Sequence, residues 1–184
     1  MSRIPRNHPL RTTFAELVQS TFFGVLGLRD PRMAEYLVEV LTEFTHMDNI
    51  FKIKNARGRR LEEVAEMLME GDVLLNARSF QREREVHKHI GDFTLFWTGM
   101  YPEMLRFLRA PHRKDHLIDY VEQGKRSYYI ASTFREGPYA QEWPILRRLS
   151  EEFEICSFGL NLVRQELDRM SDPFYRLIRE ALEE

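Results

Sequence analysis

The sequence predicts an all-α fold: a single-domain multi-helix bundle or orthogonal array of about seven or eight helices. Three observations predict it. Apolar residues recur at helical spacing through most of the chain. Prolines follow capping residues where helices must start, as at Asp30-Pro31 and Asp172-Pro173. The connections between periodic segments are short, which favours helices packed as neighbours. The 184 residues suit one helical domain over 1–184, with 1–11 expected as a flexible N-terminal arm.

Each element has its own signal. Thr13 and Glu16 form a capping-box pattern, and Phe14, Leu17, Val18 and Phe22 follow on one face. After Asp30-Pro31, the residues Met33, Leu37, Val40, Leu41 and Phe44 define a second helix to about His46. Residues 48–60 read as a connection, with a brief alternation over 51–54 and a break at Gly58. A third helix is expected from near Leu61, striped by Leu61, Val64, Ala65 and Leu68 and ending at Gly71-Asp72. The fourth, over 79–98, aligns Val86, Ile90, Phe93 and Trp97. Its 93–97 half is apolar nearly all round and should be buried, whereas the charged 81–88 half should be solvated.

Pro102 opens a short helix with Met104, Leu105, Phe107 and Leu108. Pro111 opens a long segment to about Phe134, in which Leu117, Tyr120 or Val121, Gly124, Tyr128 and Ala131 share a face; 127–134 also has strand propensity. Gly137-Pro138 is a turn. Residues 142–170 hold one long helix or two shorter ones, with Gly159 as the break. Asp172-Pro173 starts a last amphipathic helix with Phe174, Leu177, Ile178 and Leu182. One pairing follows from side-chain size. His87, Gly91, Thr94 and Thr98 make a small polar stripe on the fourth helix, and Gly124 with Ser127 offers small residues on the next, so these two should lie side by side.

Composition narrows the function classes. The chain is 43% hydrophobic and 30% charged, enough for a sizeable core, and its 13 Phe, 7 Tyr and 2 Trp make that core aromatic. A net charge of −2 gives no global pull toward nucleic acid or anionic lipid. The single cysteine, Cys156, excludes an intrachain disulfide framework, and its apolar neighbours suggest an inert thiol. No segment approaches the roughly 20 apolar residues that span a bilayer. No apolar h-region follows the basic N-terminal stretch, so the cytoplasm is expected. There is no G-x-S-x-G elbow. Gly124-Lys125-Arg126-Ser127 lacks the earlier glycine of a phosphate loop, since Asp119 holds that position.

The sharpest candidate chemistry is a divalent transition metal. His112, His116 and Asp119 stand at i, i+4 and i+7 and would face one way on a helix starting at Pro111. Glu85, His89 and Asp92 make a second such stripe, and Glu43 with His46 forms an E-x-x-H. A metal centre requires these groups to converge from facing helices. An early histidine followed by a later H-x-x-x-H is similar, over those three residues, to the metal triad of DinB-like bundles, and that resemblance implies a metal-dependent helical bundle. The simpler reading makes Glu85 with His89 and His116 with Asp119 surface helix pairs, worth about 0.2–0.5 kcal/mol each.

Lys52, Lys54, Arg57, Arg59 and Arg60 fall within nine residues that contain no acid, beside Phe51. Arg106, Arg109, Arg113 and Lys114 form a second basic cluster. They are candidates for phosphate or partner contacts. The overall charge and the absence of a nucleic-acid motif disfavour nucleic acid. From 151 onward nine acids face four arginines, so the basic loop has a complement within or between chains. The aromatic stretch 93–101 would serve either as core or as a haem or hydrophobic-ligand pocket with His87 or His89 as axial ligand. By elimination the expected function is a protein-interaction or adaptor module, self-associating or bound to another protein. A metal-dependent helical-bundle protein or enzyme is the runner-up.

Overall fold

The computed structural model describes residues 8–72, 74–77, 79–170 and 172–183. Ten α-helices run in chain order through the described residues: α1 (Pro9–Gln19), α2 (Pro31–Glu43), α3 (Met47–Ile50), α4 (Val64–Gly71), α5 (Phe80–Met100), α6 (Leu105–Leu108), α7 (Tyr120–Ala131), α8 (Trp143–Glu151), α9 (Phe153–Met170) and α10 (Pro173–Glu183). Because α3 and α6 are single turns of four residues, eight longer helices remain, in line with the sequence pattern. Among the described residues the extended structure is one antiparallel bridge, Lys54 with Arg60.

Several helix starts are the capped ones. Asp30 Oδ1 accepts the Arg32 and Met33 amides at 3.0 and 3.1 Å, satisfying donors that have no partner within α2. Ser79 Oγ accepts from Arg82 N at the head of α5, and Asp172 Oδ1 from Tyr175 N at the head of α10. α1 departs from expectation. It begins at Pro9 rather than at Thr13, with His8 Nδ1 accepting from Leu10 N at 3.2 Å. Leu10 and Arg11 are buried, so residues 9–11 belong to the fold and not to an arm; 1–7 lie outside the described residues. The Thr13 hydroxyl donates to the Pro9 carbonyl instead of capping.

α1 continues as a π-helix over Ser20–Val25, which ends where Leu26 N–H reaches Thr21 O and Gly27 takes φ 71°. The Phe22 ring fills the space that a side chain at position 159 would need. Gly159 therefore sits inside α9 as a packing point, and the break between α8 and α9 falls at Glu152. α2 stops at Glu43, short of His46.

The long helix expected from Pro111 is the largest correction. Residues 111–113 form a turn, Lys114–Leu117 a 3-10 turn, and α7 starts only at Tyr120. Two carboxylates explain this. Asp119 Oδ1 caps α7 through Val121 N and Glu122 N. Asp115, fully buried, accepts from Val64 N and Ala65 N at 2.8 Å each and from the Tyr120 hydroxyl at 2.6 Å. The Glu63 side chain makes no capping bond, so Asp115 caps α4 from 51 residues away. Continuing a helix through 115 would pull that carboxylate off α4.

α5 is the axis. Its apolar half joins an aromatic cluster of Phe44, Phe93, Phe96, Trp97 and Tyr101, with the Phe44 and Phe96 ring centroids 5.2 Å apart. Its charged half is only partly solvated: Gln81 and Glu85 are exposed as expected, but Arg84 and His87 are buried, with Glu142 before α8, Gly71 of α4 and Ser127 of α7 against them. α7 lies against α5, as the small residues indicated. A Cβ at Gly91 would enter the Tyr128 ring, and a Cβ at Gly124 would overlap the Phe153 ring and the Thr94 hydroxyl. Gly124→Leu should therefore cost about 3 kcal/mol or more through overpacking, read as a lower melting temperature. An unchanged melting temperature would refute the close approach.

Candidate functional site

The metal candidates are not brought together. His112 is exposed in the 111–113 turn. His116, also exposed, places Nδ1 3.1 Å from the Arg109 carbonyl. Asp119 Oδ1 is spent on the amides of α7. Since 111–119 is not a helix, the i, i+4, i+7 alignment of these three is lost. On α5, Glu85 faces solvent and accepts from Gln81, whereas His89 and Asp92 point inward. His46 is exposed at the head of α3. Among the described residues no three His, Cys, Asp or Glu side chains converge to hold a metal ion.

A different polar centre forms around α5. Asp92 Oδ1 accepts from the Tyr36 hydroxyl at 2.6 Å and from the Tyr128 hydroxyl at 2.8 Å, tying α2 and α7 to α5. Burial pushes the Asp92 pKa above the usual carboxylate range, against the pull of Lys88 and the two hydroxyls. Burial also raises both tyrosines well above their ordinary value, with the Asp92 charge adding to it, so they stay protonated donors. Just outside, Lys88 Nζ lies 2.9 Å from Glu142 and over the Tyr36 ring. Arg84 pairs with the same Glu142 and stacks 4.0 Å from the Tyr139 ring centroid. Burial opposes the Lys88 charge, but Asp92 and Glu142 outweigh it and raise its pKa. Hydrogen bonds to Asp92 thus tie α2 and α7 to α5, Glu142 ties the entry of α8 to α5, and the two groups meet where Lys88 lies over the Tyr36 ring.

Two histidines complete this face. His87 Nδ1 is 3.1 Å from Ser127 Oγ, which also receives the Gln123 amide at 3.0 Å. His89 Nε2 is 2.9 Å from the Ile50 carbonyl, which makes Nε2 the protonated nitrogen; Nδ1 has no partner among the described residues. Burial pushes His87 down to about 4 and His89 down to about 3. Both rings are neutral in the fold. The Ser127 hydroxyl paired with His87 is fully buried between α5 and α7 and presents no nucleophile to a substrate.

The basic segments are largely neutralised nearby. Arg59 pairs with Glu66 at 2.9 Å, Arg60 with Asp48 at 2.7 Å and Lys52 with Glu43 at 3.9 Å. Lys54 and Arg57 are exposed and have no carboxylate partner among the described residues. The turn that presents them is set by Asn55 Oδ1, which accepts from Arg57 N and Arg59 N, and by Gly58 at φ 79°. From the second cluster, Lys114 reaches Glu66 and Arg113 lies 3.7 Å from Glu63, so both basic segments converge on α4. The acidic end instead pairs with its own Arg164 and Arg179 and with Lys125 and Arg148.

Cavities are modest. A cleft of about 270 Å³ between α1 and α2 is lined by Arg11, Ala15, Phe23 and Val38, and Arg11 is held there by Glu39 at 2.8 Å. Beside the aromatic cluster a gap of about 10 Å³ touches Phe44, Phe96 and Tyr101, room for roughly one water and far too small for a haem. Residues 93–101 are core. Cys156 is buried against Met33, and burial pushes its thiol up to about 12. No helix among the described residues is long and apolar enough to cross a membrane.

What remains unspent is apolar surface. Met69 is 57% exposed, Leu74 93%, Leu75 63% and Phe80 69%. These four lie within twelve residues, where α4 turns into α5, and no other stretch of that length among the described residues exposes as many large apolar side chains. The turn is held by the Asp72 carbonyl, which accepts the Leu75, Asn76 and Ala77 amides, and by Asp72 Oδ1, which accepts from Leu74 N. Nothing in the helical periodicity singles out Leu74 and Leu75; the signal was their position after Gly71-Asp72, beyond the end of the stripe.

The chain matches no protein-family model, no curated protein sequence and no solved structure.

The buried imidazoles make the fold acid-sensitive. In the unfolded chain they titrate near 6.5 and in the fold at about 4 and about 3. Their contribution is complete above 6.5 and is lost as pH falls toward the folded values, because the unfolded state then binds more protons. His89→Gln should flatten the loss of urea resistance between pH 6.5 and 4 by up to about 1.4 kcal/mol per pH unit. An unchanged slope would contradict a neutral, buried His89.

Proposed function

We propose that the protein is a non-catalytic protein-interaction module that docks its partner on the α4–α5 corner. One observation carries this reading: Met69, Leu74, Leu75 and Phe80 are exposed together on a chain that buries most of its other large apolar side chains. Scattered apolar residues on a surface are ordinary, but a local concentration at a turn marks an interaction surface. A second consideration supports it. The titratable side chains with the clearest chemical character, Asp92, Asp115, His87 and His89, are committed to internal hydrogen bonds. A catalytic reading would need at least one such group aimed at a substrate-sized cleft.

The basic and acidic segments contribute less than their sequence clustering implies, since most of those charges are paired inside the chain. Exposed pairs of this kind are worth little and are screened by salt. The interaction should therefore depend on apolar contact more than on ionic strength.

The test is covalent capture in cells. A photoreactive benzoylphenylalanine replaces Leu74, Leu75 or Phe80 in turn, with Glu136, which is exposed just before the 3-10 turn that follows α7, as control. A discrete higher-mass adduct from the corner positions and none from Glu136 is the expected result, and an adduct at twice the chain mass would identify a second copy as the partner. Absence of adducts at all three corner positions would overturn the proposal.

A further inference from the structure

The charges that border the corner narrow its occupant. The carboxylates of α4 are mostly compensated: Glu63 faces Arg113, Glu66 holds Arg59 and Lys114, and Glu70 pairs with Arg82 at 3.2 Å. Asp72 and Glu83 are different. Asp72 closes α4, two residues before the first of the exposed leucines, and Glu83 stands in the first turn of α5, one turn after Phe80. Neither has a cation within pairing distance among the described residues, and the nearest described cation in sequence, Arg82, is engaged by Glu70 and by the Lys54 carbonyl. Burial, and then the Asp72 charge, raise the Glu83 carboxyl above its ordinary value, as expected for a half-buried carboxylate with a second negative charge nearby.

We infer that the α4–α5 corner receives a basic amphipathic segment of a partner protein, whose apolar side chains cover Leu74, Leu75 and Phe80 while its Lys or Arg residues meet Asp72 and Glu83. The inference rests on the interaction reading above and adds the partner's chemistry. Interfaces of this type place an apolar centre inside a polar rim, and complementary rim charge sets orientation and excludes wrong partners. An amphipathic helix laid on an apolar surface supplies both parts at once. Anionic lipid and nucleic acid are disfavoured by the same two carboxylates, which would repel phosphates at the point of contact.

The probe is a labelled synthetic amphipathic helix of Leu and Lys, compared with Leu/Gln and Leu/Glu versions of the same pattern, titrated against the full chain by fluorescence anisotropy. The Leu/Lys peptide should bind at least about tenfold tighter than Leu/Glu. Leu74→Asp should weaken it by about tenfold or more, and Asp72→Asn, which keeps the oxygen that accepts from Leu74 N, with Glu83→Lys should reverse the preference. All three substitutions are at partly or fully exposed positions, and unchanged melting temperatures verify that the fold is intact. Equal binding of the three peptides, lost in Leu74→Asp, would leave the corner as a docking surface and overturn its preference for a basic partner. Leu/Lys binding that survives both the Leu74→Asp and the charge-reversal variants would overturn the inference as non-specific attraction. If no peptide binds, the inference fails alone where photoadducts form at the corner, and fails together with the interaction reading where they do not.

Discussion

The separation between α5 and α7 is the constraint on which the rest of the structure depends. Gly91 and Gly124 leave no room for added side-chain volume at this contact, against the Tyr128 ring on one side and the Phe153 ring and Thr94 hydroxyl on the other. At that separation the Tyr128 ring lies over Gly91 and its hydroxyl reaches Asp92, where Tyr36 arrives from α2. The same approach sets His87 against Ser127. A buried carboxylate is costly unless its lone pairs are satisfied, and two tyrosine donors from two other helices satisfy Asp92 only while the helices stay this close. Close packing and the polar network therefore support each other.

This coupling changes the meaning of the reactive-looking residues. A buried Asp beside a lysine, two tyrosines and two histidines has the composition of a catalytic centre. In this fold each member is turned toward a protein partner: Asp92 toward hydroxyls, His89 toward a carbonyl, Lys88 and Arg84 toward Glu142. Asp115 follows the same logic at the other end of α4, where its carboxylate replaces a local cap. With so much of the polar chemistry directed inward, the apolar side chains at the α4–α5 turn are the feature for which the fold itself offers no use. That contrast is the basis of the proposed docking role.

Much of the helical framework was legible in the sequence because its determinants are local. The Asp30-Pro31 and Asp172-Pro173 starts, the extent of α5 and the end of α4 at Gly71-Asp72 all rest on residues within a turn or two of one another. The α5–α7 pairing was legible because small side chains at helical spacing carry information about separation. The candidate metal residues misled for two distinct reasons. Spacing at i, i+4 and i+7 means a shared face only on a helix, and 111–119 is held out of helix by Asp115 and Asp119. On α5 the helix exists and the three share a face, but spacing does not say how far along the helix that face is covered, so Glu85 near the N-terminal end is exposed while His89 and Asp92 are buried. The capping role of Asp115 had no local signal, because the amides it accepts from are about fifty residues away. A lone acid at the edge of the apolar 93–97 stretch was the available hint of the Asp92 centre.

Native-state hydrogen exchange measured residue by residue tests the central claim most directly. If the α5–α7 contact and the Asp92 network anchor the molecule, the amides of 86–97 and 124–131 open only with global unfolding and exchange slowest of all. The 74–77 turn, whose amides lie at the surface, exchanges early. Exchange of the α5 or α7 amides through a local opening, while α1, α2 or α9 stay protected, would contradict the account and remove the anchor on which it is built.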